Sequence, residues 1–229
     1  MQNMNNLRSS VFLFSIGIVV SILSCSKMDD SYKKFVVPNG LTYIGKVENL
    51  YTNAGNERIK LSWVTKDPKA KIARIYWNNK ADSVDVQIQT SMSTDTTSVI
   101  INNLAEGTYV FQIYTLDNEN NKSVSVESIG ISYGVLYESL LNNRVITKIT
   151  KTQDTAFISV LSIDSTSIGT RFSYMNKQNI PFDTLVTSIE ERIIKLPNMN
   201  SDTSFIYKTL YKPKTSIDTF YSAQTLYPK

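Results

Sequence analysis

Short apolar-polar alternations dominate this chain from residue 38 onward, and no long stretch keeps the spacing of an amphipathic helix. An alternation of period two sends every second side chain to one face of a strand. In Ile59-Lys60-Leu61-Ser62-Trp63 it places Ile59, Leu61 and Trp63 together. Residues 72–77, 84–88, 97–101, 110–114 and 123–133 continue the series, rich in Val, Ile, Thr, Tyr and Phe. Turn clusters separate them: Lys66-Asp67-Pro68-Lys69, Asn78-Asn79 and Asp117-Asn118-Glu119-Asn120-Asn121. Pro sets its own backbone angle for a turn, and Asn and Asp bond their own backbone there. Many short strands punctuated in this way predict an all-β sandwich.

The pattern then repeats. Ala156, Ile158 and Val160 reproduce the alternation of Ile59, Leu61 and Trp63, and Phe172 and Tyr174 follow where Ile75 and Trp77 stood. Leu196-Pro197 parallels Leu104-Ala105, and Phe205-Ile206-Tyr207 parallels Tyr109-Val110-Phe111. Order is kept while the second copy lacks the tryptophan and lengthens the corner through 198–204. Two tandem sandwiches are expected, over 39–134 and 135–229.

The first copy resembles a fibronectin type III domain, with a tryptophan on the second strand, a Tyr-rich third strand and Leu104-Ala105-Glu106-Gly107-Thr108-Tyr109 entering the sixth. The resemblance implies that the Tyr109 ring packs inward while its hydroxyl ties down the preceding turn. The corner is one residue shorter than the usual fibronectin spacing, which leaves a related immunoglobulin-like sandwich open.

The beginning of the chain differs in kind. Residues 1–8 are polar with one charge, Arg8, and residues 11–23 are apolar but for Ser15, Gly17 and Ser21. Such a run, about 13 residues, is too short to span a bilayer and suits the apolar region of a secretory signal. Ile22-Leu23-Ser24-Cys25 resembles the lipobox of bacterial lipoproteins, which implies a signal peptide over 1–24 and lipid on Cys25, with 25–38 as tether. Stable anchoring takes more than one acyl chain, which such proteins carry. Ser26-Lys27-Met28-Asp29-Asp30 resembles the acidic export signal of Bacteroidota lipoproteins, which implies an outer membrane location facing the cell exterior.

Composition narrows the chemistry. The chain has no histidine, and Cys25 is its single thiol. The usual general base and the usual nucleophile pairings are therefore missing, as are the usual zinc ligands. No cofactor, no metal site and no catalytic residue are expected. The formal net charge of +4, about +3 once Arg8 is removed with the leader, is interspersed. A nucleic-acid binder would gather it into a stripe. Glu190-Glu191, read as strand neighbours, would face opposite ways and not converge as a glycosidase pair does. Asp117-Asn118-Glu119-Asn120-Asn121 has Lys122 and Ser128 where a calcium loop needs glycine and a bidentate glutamate, so a hairpin turn is expected.

Alternation also exposes a candidate surface. With Ala73, Ile75 and Trp77 inward, Arg74 and Tyr76 face out; with Tyr109, Phe111 and Ile113 inward, Gln112 and Tyr114 face out. In a fibronectin-like sheet these strands are neighbours, so Tyr76, Tyr114, Arg74 and Gln112 would share a face suited to a glycan or protein partner. Lys60-Leu61-Ser62-Trp63, residues 75–84, residues 104–121 and the closing 208–221 resemble a family of uncharacterised Bacteroidota surface lipoproteins. That resemblance implies a non-catalytic accessory or binding component of a polysaccharide-capture system. The alternative is an adhesin-like or spacer module that contacts proteins and has no sugar site.

Overall fold

A computed structural model describes Phe35, Gly40 and residues 43–89, 96–152 and 155–228. Cys25, the leader 1–24 and the tether 25–38 apart from Phe35 lie outside the described residues.

Seven strands form the first sandwich: β1 (Glu48–Asn56), β2 (Arg58–Val64), β3 (Ile72–Trp77), β4 (Asp82–Gln87), β5 (Thr96–Asn102), β6 (Gly107–Leu116) and β7 (Val126–Tyr133). One sheet runs β5-β2-β1 and the other β4-β3-β6-β7. They meet where β1 and β7 pair in parallel through Gly55 with Ser132 and Asn56 with Tyr133. The inward faces follow the alternation: Ile59, Leu61 and Trp63 of β2 and Ala73 and Ile75 of β3 are fully buried, as are Phe111 and Ile113 of β6. The Tyr109 hydroxyl donates to the Ala105 carbonyl at 3.0 Å, the tie expected of the corner.

The second sandwich repeats this order with β8 (Ile146–Lys151), β9 (Thr155–Val160), β10 (Ser167–Met175), β11 (Pro181–Val186), β12 (Ile193–Pro197) and β13 (Phe205–Tyr211). Its sheets run β12-β9-β8 and β11-β10-β13. The seventh strand is divided in two: β14 (Phe220–Tyr221) and β15 (Thr225–Tyr227) each pair with β13. Ile158, Phe172, Ile194 and Leu196 are fully buried and Phe205 nearly so. The chain is thus all-β, two tandem fibronectin type III-like sandwiches. One expectation is corrected. Leu196-Pro197 lies within β12, paired with Ala156 and Thr155, so it answers to β5 rather than to the corner at Leu104. Buried Met199 follows that strand as Leu104 follows β5.

A five-residue helix, α1 (Val135–Ser139), links the copies. The Glu106 carboxylate, from the first sandwich's corner, accepts the backbone N–H groups of Leu136 and Tyr137, both at 2.8 Å. A short helix has unpaired N–H groups at its start, and a carboxylate there satisfies them.

Asn143 and Arg144 pin the second sandwich. Asn143 donates to the Ala223 carbonyl at 2.6 Å and to Thr225 Oγ1 at 2.7 Å, and accepts from Ser222 at 2.6 Å. These bonds occupy the break between β14 and β15. Arg144 is 2% exposed, and its guanidinium donates to the carbonyls of Leu161 (3.0 Å), Ser188 (3.3 Å), Ile189 (2.9 Å) and Glu191. Glu190 and Glu191 therefore sit in the bend between β11 and β12, not on a strand as read from the sequence. This correction has a physical cause: the bend's carbonyls are satisfied by Arg144 instead of by a neighbouring strand.

The two copies are also joined by a seam at residues 215–220. Arg58 Nε donates to Asp218 Oδ2 at 2.9 Å and its Nη2 donates to Oδ1, a bidentate pair. Asp218 also accepts the Asn56 N–H at 2.8 Å, and the Ile217 N–H donates to the Ala54 carbonyl at 2.8 Å. The Phe220 ring meets Tyr133 edge-on at 5.2 Å and Tyr137 at 5.0 Å. Arg58, then the Asn56 N–H, overcome the effect of burial and hold the Asp218 carboxyl below its ordinary value. A depressed carboxyl stabilises the fold above its unfolded pKa and loses that contribution as pH falls through the folded value. Acid below the ordinary aspartate range is therefore expected to loosen the seam. Asp218→Asn should make stability less steep in pH there; parallel acid losses in both proteins, followed by thermal melts, would reject this.

Candidate functional site

The antiparallel pairing of β3 with β6 sets Arg74 opposite Tyr114 and Tyr76 opposite Gln112. Directly opposed residues share a face, so the structure brings all four sequence-selected residues together on the outer side of the sheet. All four are half-buried. The Tyr76 and Tyr114 rings stand nearly perpendicular, 86°, with centroids 5.9 Å apart. Edge-to-face rings attract through their quadrupoles.

Each polar member is oriented by a neighbour. Arg74 donates through Nε and Nη2 to both oxygens of Asp85 on β4, at 2.7 Å each. That fork lowers the Asp85 carboxyl and raises Arg74 further above its ordinary value. Gln112 Nε2 donates to Glu127 of β7 at 2.7 Å, while its buried Oε1 has no partner among the described residues. A buried acceptor without a donor costs stability, and at this depth the oxygen is closed to an entering ligand.

Two lysines that sequence reasoning did not select complete the site. Lys122 Nζ lies 3.5 Å from the Tyr114 ring centroid, and Lys80 Nζ donates to the Tyr114 hydroxyl at 3.3 Å. Burial alone would raise the Tyr114 hydroxyl. Bonds with Lys80 and Ser125, and the charges of Lys80 and Lys122, prevail and hold it below the usual tyrosine value. Lys122 covers one face of the Tyr114 ring and Tyr76 meets that ring edge to face. The surface thus offers ring edges, amides and ammonium groups rather than one broad stacking plane.

Lys80 arrives by an unusual backbone. Asn78, Asn79 and Lys80 form a turn with φ of 49°, 54° and 67°, all left-handed. Asn tolerates that region, whereas lysine rarely enters it. The Asn78 side chain donates to Asp82 at 2.6 Å, which helps close the turn. Beside the turn opens a groove of about 470 Å³ lined by Tyr76, Trp77, Asn78, Lys80, Val110 and Gln112. The sequence signal available for it was Asn78-Asn79-Lys80 at the end of an outward-facing aromatic strand. The Lys122 signal was only its place after a turn.

A second groove, about 550 Å³, lies on the second sandwich beside Met175, Phe182, Asp183, Asp202, Phe205 and Ile206. Phe182 is 48% exposed, with its ring 5.5 Å from that of Tyr174. Its strand, β11, carries its signal in the sequence as Phe182, Thr184 and Val186 on one face. Asp117 is spent locally, accepting the N–H groups of Glu119 and Asn121, both at 2.9 Å, as a hairpin turn requires. Among the described residues no three His, Cys, Asp or Glu side chains gather where they could hold a metal. Among those residues, too, no helix is long and apolar enough to cross a membrane.

Comparison with known proteins adds a family and a set of similar folds. Residues 25–220, the first sandwich and the second up to the start of β14, match the profile of a domain of unknown function. No curated protein matches the chain. Among solved structures it is similar to a segment of two fibronectin type III domains from chicken tenascin, 16% identical over 81% of this chain and 100% of that one, with a TM-score of 0.34. It is also similar to the chicken CNTN1 FN1–FN3 domains, 9% identical over 83% of this chain and 70% of that one, with a TM-score of 0.41.

Proposed function

We propose a non-catalytic binding role for this chain, which belongs to that family, DUF4998. It acts as a lipid-anchored accessory of glycan capture at the outer membrane, held by lipid on Cys25 and facing the cell exterior. The observation that carries the binding reading is the β3–β6 face. There two half-buried tyrosines in edge-to-face contact and two lysines share one face, beside a groove lined by Tyr76, Asn78, Lys80 and Gln112. Aromatic edges beside amides and charged donors suit sugar hydroxyls, which need both apolar contact and hydrogen bonds. No cofactor takes part, and nucleic acid is not the ligand, since the positive charge is not gathered into a stripe.

Affinity electrophoresis through gels containing soluble polysaccharides tests this. The chain should be retarded on at least one polymer, and Tyr76→Ala with Tyr114→Ala should weaken retention about tenfold or more, the scale of aromatic hot spots. Unchanged retention in a folded double variant would remove the site. Retention on no polysaccharide would favour the second reading, an adhesin-like or spacer module. The seam of Arg58 with Asp218 and of Phe220 with Tyr133 and Tyr137 is what supports that alternative, because it ties the two copies to each other.

A further inference from the structure

Resting on the glycan reading of the β3–β6 face, we infer that its ligand is an anionic polysaccharide, with Lys80 and Lys122 contacting the acidic group of the sugar. Both ammonium groups are placed without being neutralised. Lys122 is held over the Tyr114 ring at 3.5 Å, an attraction that leaves its charge intact. Lys80 is held by the Tyr114 hydroxyl at 3.3 Å and by the left-handed turn at its own φ of 67°. Among the described residues neither lysine forms an ion pair, whereas Lys66 pairs with Glu48 at 2.6 Å.

The acids of the same face are already engaged. Asp85 is charge-paired with Arg74, while Asp82 and Glu127 keep their charge but are held in place by the neutral Asn78 and Gln112 amides, at 2.6 Å and 2.7 Å. An entering carboxylate or sulfate ester therefore meets two pre-positioned donors, with little side-chain freedom left to lose. Its neighbouring hydroxyls fall to the groove beside the Tyr76 edge and the Asn78 amide. Strained backbone persists where the surrounding structure holds it, commonly at ligand sites, and a lysine in a left-handed turn is such a case.

The test compares matched polymers by affinity electrophoresis and titration with the full chain. Polygalacturonate is set against its carboxyl-reduced form, and a sulfated galactan against its desulfated form; the preferred pair identifies the acidic group. Binding should favour a charged member and weaken in high salt. Lys80→Gln and Lys122→Gln should each reduce that binding about tenfold, the scale of a charge-assisted hydrogen bond. Lys148→Gln, an equal loss of charge on β8 of the other sandwich, should leave it unchanged, and thermal melts confirm that the variants fold. Equal binding of charged and neutral members overturns the inference and leaves the glycan reading standing. Equal weakening by Lys148→Gln also overturns it, by revealing general attraction to polyanions. Binding to no polymer overturns both.

Discussion

Arg144→Met is expected to destabilise the second sandwich by about 3–5 kcal/mol, since each carbonyl left buried without its donor costs about 1–3 kcal/mol. Methionine matches the length of the aliphatic stem and donates nothing. Four carbonyls, of Leu161, Ser188, Ile189 and Glu191, would lose the donor that now joins them. Burial, and then the charge of Arg192, pull Arg144 below the ordinary guanidinium value, with Glu191 and Glu190 pulling back. Holding the charge there is thus itself unfavourable, and what the side chain contributes is the fixing of two loops by one planar fork. Arg144→Lys should fail nearly as badly, because a single ammonium cannot reach four acceptors spread around a guanidinium.

Urea unfolding followed by two probes measures this. Both tryptophans, Trp63 and Trp77, belong to the first sandwich, so their emission follows that copy while far-ultraviolet circular dichroism follows the whole chain. The dichroism transition should move to lower urea ahead of the emission transition. A change below about 1 kcal/mol in both would show that water replaces the guanidinium freely, and would refute the assignment.

Trp63→Ala should cost about 3–5 kcal/mol in the first sandwich, as truncation of a buried aromatic does. Trp63 is 0% exposed between the sheets, among Ile59, Leu61, Ile75 and Phe111 of the same core. The more informative partner is Trp63→Phe. The indole N–H is buried without an acceptor among the described residues, so phenylalanine removes an unsatisfied donor along with one ring. The expected loss is only about 1–2 kcal/mol, because relief of the donor offsets part of the void. If Trp63→Phe costs as much as Trp63→Ala, the donor has a partner such as a buried water and the packing account fails. Denaturant midpoints for the two variants decide it, followed by circular dichroism because the main fluorophore is altered.

These effects divide along a line that also separates what was legible in the sequence. The inward faces of β2, β3, β6, β9, β10 and β13 follow directly from alternation, because a strand has a period of two and one side of each sheet is buried. Alternation also turned Arg74 and Tyr76, and Gln112 and Tyr114, outward on their own strands; that the two strands are neighbours came from the fibronectin resemblance, and the β3–β6 pairing bears it out. The parallel drawn between Leu196 and Leu104 failed because apolar residues at a strand's end and at a corner look alike locally; only pairing with β9 separates them. Glu190 and Glu191 failed likewise, since the bend that holds them is supported by a side chain more than 40 residues away.

Taken alone, the amino-acid sequence determined the fold class, the duplication, the buried tryptophan and the outward direction of Arg74, Tyr76, Gln112 and Tyr114 on their strands, all of which depend on local period and composition. It also contains the motif at Cys25 on which the anchoring proposal rests. Tertiary structure decided what surrounds that outward set. Lys122 reaches Tyr114 because the β6–β7 turn folds back, and Lys80 because a left-handed turn directs it there. Tertiary structure likewise decided the work of the Arg144 and Asp218 side chains, whose partners lie up to 47 and 162 residues away in the chain. Strand period is a property of neighbours and can be read from them. Hydrogen bonds and charge contacts between distant segments exist only once the chain has closed its sheets, and in this protein they shape the site.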